Sequence, residues 1–257
     1  MKPKNAIESK DKALFDRIAK KYASKDEVRS CSIPREFILK QAMAPLLKEG
    51  RRDHVIVDIA CGIGAPAGYL KGKYRKYYGV DHSSEMIDIA REKYKDHDGV
   101  FFLNANVKES LRIDEKVDVI LAVGALHHIT ELDKVFNSLK KIVSPGAVFV
   151  AIEPYGGNPV ITLMRRLRMM FDKGYSSDQV FFKKRDITKI LRDNGFRDIE
   201  VVHQGFFSPP FAQVILEPQV VTIGLARVAV FMDRVIEKYL NWLVGPLSWN
   251  IIVKAKF

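Results

Sequence analysis

The chain has 257 residues, a formal net charge of +11 and two cysteines. This length fits one α/β domain with additions, and no second enzyme is needed to account for it. Two cysteines are too few for a disulfide framework or a thiolate metal site, so we predict no bound metal. The first residues lack an apolar signal core, and no run of about 18 apolar residues could span a bilayer. We therefore expect a cytoplasmic protein.

The positive charge is concentrated in two regions, residues 1–52 and 165–197, where Lys and Arg clearly outnumber Asp and Glu. Such a field favours anionic partners, which include a phosphorylated substrate, an anionic membrane surface and nucleic acid. The alternative is that these charges are the solvated helix faces of an ordinary globular protein.

Two helices are predicted before the first strand. Residues 6–23 place Leu14, Phe15, Ile18 and Tyr22 at helical spacing, which indicates an amphipathic helix. A second helix is expected from about residue 35 to 48.

Strands and helices then alternate, which predicts a parallel sheet with helices on both faces. Ligands of such a sheet gather at the carboxyl ends of its strands. The predicted strands are 55–60, 76–81, 99–103, 117–123 and 147–153, and the predicted helices are 65–73, 84–95 and 131–143. After them we predict a helix at 161–171, a helix at 186–194, a strand at 199–203, a helix at 220–244 and a last strand at 249–256.

A glycine turn follows the first strand, in the run Asp58-Ile-Ala-Cys-Gly-Ile-Gly64. Gly62 and Gly64 allow the backbone to turn tightly and to approach a ligand, and the next helix would point free N–H groups at it. Asp81 lies 23 residues after Asp58, close to the spacing of about 20 residues expected for a ribose-binding acid. The third glycine of the dinucleotide fingerprint is missing, which counts against a nicotinamide enzyme. A purely structural turn is the other alternative.

Together with Gly79-Val-Asp81-His-Ser-Ser-Glu-Met86, this run resembles the class I S-adenosylmethionine-dependent methyltransferases. The resemblance implies a seven-stranded, mostly parallel Rossmann-like sheet of order 3-2-1-4-5-7-6 with the last strand antiparallel. It implies S-adenosyl-L-methionine as the cofactor, with the first acid and the glycine loop at its methionine end and the second acid at its ribose. The cofactor-binding residues expected from it are Asp58, Ala60, Cys61, Gly62, Gly64, Asp81, His82, Met86, Asn106, Val107 and Val123.

Asn106 follows the third strand, where the same resemblance implies an aspartate that binds the adenine amino group. The side-chain carbonyl of asparagine can accept that hydrogen bond, and the Val107 N–H would lie beside a ring nitrogen. The alternative is an asparagine that caps its own loop.

The fourth strand ends in Leu126-His-His-Ile129, which resembles small-molecule methyltransferases that modify carbon or oxygen, quinone-pathway enzymes among them. Neighbouring histidines diverge, and no acid or cysteine completes a metal-ligand set. We expect one histidine to face the acceptor, with packing as the alternative. The candidates for acceptor contact or for a base are His127, His128, Glu153, Tyr155 and Tyr22. Tyr22 resembles a lid tyrosine, although it could simply pack on the core.

The amino-type base methyltransferases place a Ser/Asn/Asp-Pro-Pro-aromatic motif after the fourth strand. Here Ser208-Pro-Pro-Phe211 comes far too late in the chain, so we interpret it as a proline turn.

We expect residues 1–53 to form an N-terminal helical lid and residues 54–257 the methyltransferase domain, with insertions at about 156–185 and 205–248 as an acceptor-side cap. The predicted function is methyl transfer to a small-molecule acceptor on oxygen or carbon, with an apolar or lipid-linked molecule favoured over nucleic acid. Basic residues of the first insertion suit peripheral contact with an anionic membrane, and a homodimer through the cap is the alternative. A non-catalytic cofactor-binding or RNA-associated regulator is the rival function. The basic residues concerned are Arg165, Arg166, Arg168, Lys183, Lys184 and Arg185.

Overall fold

The computed structural model describes residues 4–47, 53–171 and 180–257. Seven strands form one sheet in the order β3-β2-β1-β4-β5-β7-β6, which confirms the predicted topology. β7 pairs antiparallel with both β5 and β6, and the strand pairs from β3 to β5 are parallel. The strands are β1 Val55–Ile59, β2 Lys76–Asp81, β3 Val100–Asn104, β4 Val117–Val123, β5 Val143–Pro154, β6 Arg197–Gln204 and β7 Asn250–Lys256.

Ten α-helices are described around this sheet, together with two short 3-10 helices at Leu126–His128 and Gly245–Leu247. The α-helices are α1 Lys4–Glu27, α2 Arg29–Met43, α3 Ala65–Tyr69, α4 Ser84–Lys93, α5 Leu132–Leu139, α6 Pro159–Phe171, α7 Lys184–Asp193, α8 Pro209–Gln213, α9 Gln219–Tyr239 and α10 Asn241–Val244.

The sheet is covered on both faces, which explains why its central strands are continuous apolar runs. Every residue of β1 is buried, as expected for a parallel strand between two helical layers. On one face, Leu39 and Met43 of α2 join Ile87 of α4 in one cluster. On the other face, Phe136 of α5 and Leu191 of α7 belong to a second cluster.

Most helices differ from their predicted bounds by a few residues, and three of these differences have a structural explanation. α2 begins at Arg29, because Pro34 is accommodated inside the helix instead of marking its start. α3 ends at Tyr69, four residues early, and a turn through Gly72, with a φ of 77°, leads into β2. The predicted helix 220–244 is two helices, α9 and α10, which meet at Leu240.

The two additions follow β5 and β6. The first contains α6, while residues 172–179 and the side chains of Arg166 and Arg168 lie outside what the structure describes. The second addition contains α8, α9 and α10, and both α8 and α9 pack on α2. The carboxyl ends of the parallel strands β1 to β5 lie at one edge of the sheet, and the residues of the candidate site lie at the same edge.

Candidate active site

The glycine loop leaves β1 through three residues with left-handed backbone conformations. Ala60, Gly62 and Gly64 have φ values of 52°, 54° and 72°. The loop closes on itself through the Gly64 N–H, which donates to the Cys61 carbonyl at 3.0 Å. Only glycine adopts this region without strain, so the two glycines are needed for the loop to turn here.

Phe102 of β3 supports this loop from below. A Cβ atom at Gly64 would lie 2.6 Å from the Phe102 ring, and one at Gly79 would lie equally close to it. Gly79 and Phe102 are register partners on β2 and β3. The ring therefore crosses Gly79 to reach the glycine loop.

Asp81 joins the glycine loop to the start of α4. Its Oδ2 accepts the Gly62 N–H at 2.8 Å, and its Oδ1 accepts the Ser83 N–H at 2.9 Å. Burial raises its pKa, an effect that these backbone hydrogen bonds oppose. A carboxylate has about four lone-pair sites, so each oxygen keeps acceptor capacity for a ligand hydroxyl.

Asp58 lies beneath the loop and is buried. Its Oδ2 accepts a hydrogen bond from the Tyr77 hydroxyl, whereas its Oδ1 has no hydrogen-bond partner in the part of the chain that the structure describes. Burial raises the pKa of Asp58 to about 7, against the Tyr77 hydrogen bond and with a further contribution from the charge of Asp81. Cys61 beside it is buried, and its Sγ contacts the Gly62 carbonyl.

Some of the expected cofactor residues follow β2, and others follow β3. Met86 is buried under α1, in a cluster with Ala19, and His82 is exposed. Asn106 accepts the Lys108 N–H at 3.1 Å with its Oδ1 and so closes its own turn. Val107 is buried, and its carbonyl accepts the Ser138 hydroxyl at 2.7 Å.

Glu153 and His127 form a buried pair at the ends of β5 and β4. Glu153 is 0 % exposed, and its carboxylate lies 2.7 Å from Nδ1 of His127. The same carboxylate accepts the N–H groups of Ala125 and Leu126 at 3.0 and 2.8 Å. Burial lowers the pKa of His127, although Glu153 acts in the opposite direction. His127 is therefore neutral near pH 7.

Aromatic rings surround the two histidines. The Phe15 ring of α1 meets His128 edge-on at 5.1 Å, and the Phe181 ring stacks on His127 at 6.1 Å. Val123 is partly exposed at the end of β4. Neither Phe15 nor Phe181 was predicted as a site residue, because a phenylalanine on an apolar helix face or in a loop has the same sequence signature as a core residue.

The other three candidates for acceptor contact are Tyr155, Glu153 and Tyr22. Tyr155 is buried, and its ring lies edge-on to His203 at 4.8 Å. The carboxylate of Glu153 accepts backbone N–H groups and lies beside His127. Tyr22 has ring contacts with Lys25 and Arg35, both at cation–π distance. The structure therefore does not bring Tyr22 to the histidines.

Helix α1 lies across the whole edge. Phe15 contacts His128, Asp16 accepts the Ser83 hydroxyl, and Ala19 packs with Ile63 of the glycine loop. One helix thus touches His128, the Asp81 turn and the glycine loop.

The sheet order, the glycine loop and the two acids at the ends of β1 and β2 define a class I S-adenosylmethionine-dependent methyltransferase. Residues 57–151 match the family described as "Methyltransferase domain".

Relatives and solved structures agree with this assignment. The chain is 26 % identical to a demethylmenaquinone methyltransferase of Chlorobaculum parvum, over 83 % of this chain and 95 % of that protein. A possible histamine N-methyltransferase of Thermotoga maritima shares the fold with a TM-score of 0.63 and 20 % identity, covering 95 % of this chain and 98 % of its own. Magnesium protoporphyrin IX methyltransferase of Synechocystis, solved with S-adenosylhomocysteine, shares it with a TM-score of 0.61 and 14 % identity, covering 97 % and 99 %.

The residues present fit S-adenosylmethionine. Among the described residues, Oδ1 of Asp58 is a buried acceptor without a hydrogen-bond partner, which is costly unless a ligand donates to it. The ammonium group at the methionine end of the cofactor is a suitable donor. The remaining acceptor capacity of Asp81 suits ribose hydroxyls.

Proposed function

We propose that this methyltransferase methylates carbon or oxygen of a small apolar or lipid-linked molecule, with His127 as the base. The observation that carries the proposal is the buried pair of Glu153 and His127 inside an aromatic enclosure. S-adenosylmethionine supplies an activated methyl group, and the acceptor must lose a proton when its nucleophilic atom is a C–H carbon or a hydroxyl oxygen.

The cofactor is held, in this proposal, by the two acids and the loop between them. Asp58 and Gly62 to Gly64 bind the methionine end, and Asp81 accepts both ribose hydroxyls. Asn106 and Val107 bind the adenine, with Met86 as its apolar cover. The remaining expected contacts, Ala60, Cys61, His82 and Val123, line the edges of this site.

His127 has the electronic state that a base needs. In this arrangement the Nδ1–H group of His127 donates a hydrogen bond to Glu153, so the opposite nitrogen, Nε2, carries the lone pair. Burial keeps the imidazole neutral, and a neutral imidazole can take up the proton that the acceptor loses. Glu153 does not touch the acceptor; it holds the tautomer and the ring orientation of His127.

The acceptor site is proposed beside His128, Phe15 and Phe181. Aromatic rings around one polar base suit a largely apolar, planar molecule, with few hydrogen bonds to fix its orientation. The relative from Chlorobaculum parvum is named for demethylmenaquinone, and a quinone-type acceptor has this character. His128 is the second candidate for acceptor contact.

The division of the chain into a lid, residues 1–53, and a catalytic domain, residues 54–257, is part of the proposal. The contacts of α1 with the glycine loop and with His128 support the lid. The additions at 156–185 and 205–248 are proposed to cap the acceptor side. The contact of the Arg165 guanidinium with the Phe181 ring at 4.7 Å supports this for the first addition.

A labelled-methyl assay tests the acceptor class. The purified protein is incubated with methyl-labelled S-adenosylmethionine and either the organic-solvent extract or the aqueous extract of cells, and His127→Ala serves as the inactive control. We expect label in the organic-soluble product only. Label confined to RNA or to polar metabolites would contradict an apolar acceptor, although not the methyltransferase class.

A further inference from the structure

Helix α9 presents an apolar face to solvent. Val220 is 82 % exposed and Phe231 is 65 % exposed. At 100° per residue, the exposed apolar residues lie on the side opposite the one that packs on α2. They are Val220, Val221, Leu225, Val228, Phe231, Met232, Val235 and Tyr239.

The acidic residues of α9 are turned inward. Asp233 is 0 % exposed and accepts the N–H groups of Phe206, Phe207 and Ser208. Glu237 accepts the Gly205 N–H at 2.8 Å and a hydrogen bond from Gln41. The helix is therefore inverted relative to an ordinary surface helix, with its acids against the protein and its apolar residues outside.

The exposed charges of α9 are all positive. Arg227, Arg234 and Lys238 lie along one border of the apolar face and are exposed. We call the exposed apolar residues of α9 together with these three residues the α9 surface.

The apolar character continues beyond α9. Trp242 of α10 is 82 % exposed, and Leu243 beside it is also exposed. The segment before α9 exposes Val214, Ile215 and Leu216. Aromatic residues with lysine and arginine next to aliphatic ones are the composition of helices that lie in a membrane interface. Within the described residues, no helix is both long and apolar enough to cross a bilayer.

We propose that the α9 surface binds an anionic lipid bilayer, with the helix lying parallel to the membrane plane. The apolar side chains enter the boundary of the acyl region, and Arg227, Arg234 and Lys238 pair with lipid phosphates. A second copy of this chain is the less favourable occupant, because two such faces would bring like charges together. The inference goes beyond the proposed function and would hold for any acceptor.

Flotation with vesicles tests the charge component. The full chain is mixed with vesicles of phosphatidylcholine alone or of an equal mixture with phosphatidylglycerol, at low and at physiological salt. We expect binding to the anionic vesicles that weakens as salt rises. Arg227→Gln, Arg234→Gln and Lys238→Gln combined should weaken it about 100-fold, which corresponds to about 1 kcal/mol per residue.

The matched control removes the same charge elsewhere. Lys189→Gln, Arg192→Gln and Arg197→Gln combined change three exposed basic residues outside the α9 surface. This control should bind anionic vesicles nearly as the unchanged protein does. Equal losses in both triple variants would overturn the assignment to α9, because non-specific attraction by the net charge of +11 would then explain the binding.

The apolar component is tested with Phe231→Ser and Trp242→Ser combined. Both side chains are exposed, so thermal melting should be unchanged, while vesicle binding should fall at least about tenfold. The exposed Tyr239→Phe variant is the control that keeps the apolar contact. If the double variant binds vesicles normally, or if the protein ignores vesicles and sediments as a dimer that this variant dissociates, the membrane proposal is wrong.

Discussion

The carboxylate of Glu153 lies 2.7 Å from Nδ1 of His127 and also accepts the backbone N–H groups of Ala125 and Leu126. One buried acid thus fixes both the side chain of the candidate base and the turn that carries it. The position of the histidine ring and its tautomer therefore depend on the same group, which makes this pair the most direct place to test the proposed chemistry.

His127→Ala should lower turnover by about 100-fold or more, the scale of a lost general base. The affinity for S-adenosylmethionine should be nearly unchanged, because the His127 ring pairs with Glu153 and not with either of the acids proposed to bind the cofactor. Steady-state rates with an identified acceptor and calorimetry with the cofactor measure the two effects. His128→Ala is the comparison, and a larger loss in that variant would transfer the role of base to His128.

Glu153→Gln should shift the pH dependence of turnover. The negative charge of Glu153 raises the pKa of His127 against the effect of burial, so its removal should move the acid limb of the profile to lower pH. Turnover at the plateau should fall, because a base with a lower pKa accepts a proton less readily. An unchanged profile with a reduced rate would indicate that Glu153 only stabilises the fold.

Asp81→Ala should weaken S-adenosylmethionine binding by about 1.5–3 kcal/mol, the scale of hydrogen bonds to a charged group. The variant also removes the acceptor for the Gly62 and Ser83 N–H groups, so the loop loses its connection to α4. Calorimetry measures the affinity, and Asp88→Ala, an exposed acid on α4, is the control. Equal affinity in the two variants would refute the ribose assignment.

Asp58→Asn should make the cofactor-free protein more stable at pH 8 and should weaken its binding of S-adenosylmethionine. An unfolded Asp58 loses its proton near pH 3.8, whereas the folded protein keeps it up to about pH 7. Between these values the unfolded state binds fewer protons, so the stability contributed by this group falls as pH rises. Asparagine has no such titration.

Thermal melting at pH 5 and pH 8, with and without the cofactor, measures this effect. The stabilisation by Asp58→Asn should be larger at pH 8 than at pH 5, and the shift on adding the cofactor should be smaller than in the unchanged protein. A variant that is less stable at both pH values would show that the charge of Asp58 is satisfied within the protein.

The strands and helices could be predicted from local patterns, whereas the order of the strands was implied by the resemblance to class I methyltransferases. Buried parallel strands are short apolar runs, and the glycine turn with its two acids marks β1 and β2. The contacts of Glu153, in contrast, could not be predicted from the sequence. An acid at the end of a strand has the same sequence signature whether it faces a ligand or a backbone turn, and only the fold brings Ala125 and Leu126 to its carboxylate.

Helix α9 shows a second limit of the sequence. Its periodicity predicts an amphipathic helix correctly, but the pattern would place the apolar stripe against the protein. Asp233 and Glu237 reverse this orientation because the turn at Gly205 to Ser208 offers backbone N–H groups. These N–H groups belong to the turn after β6, so the sequence of α9 alone does not reveal them.

The ring of Phe102 reaches from β3 across Gly79 to the underside of Gly64. The shape of the cofactor loop is consequently set by a side chain two strands away from the strand that carries the loop. A side chain at Gly79 would collide with the Phe102 ring, and a smaller residue at position 102 would remove the ring that supports Gly64.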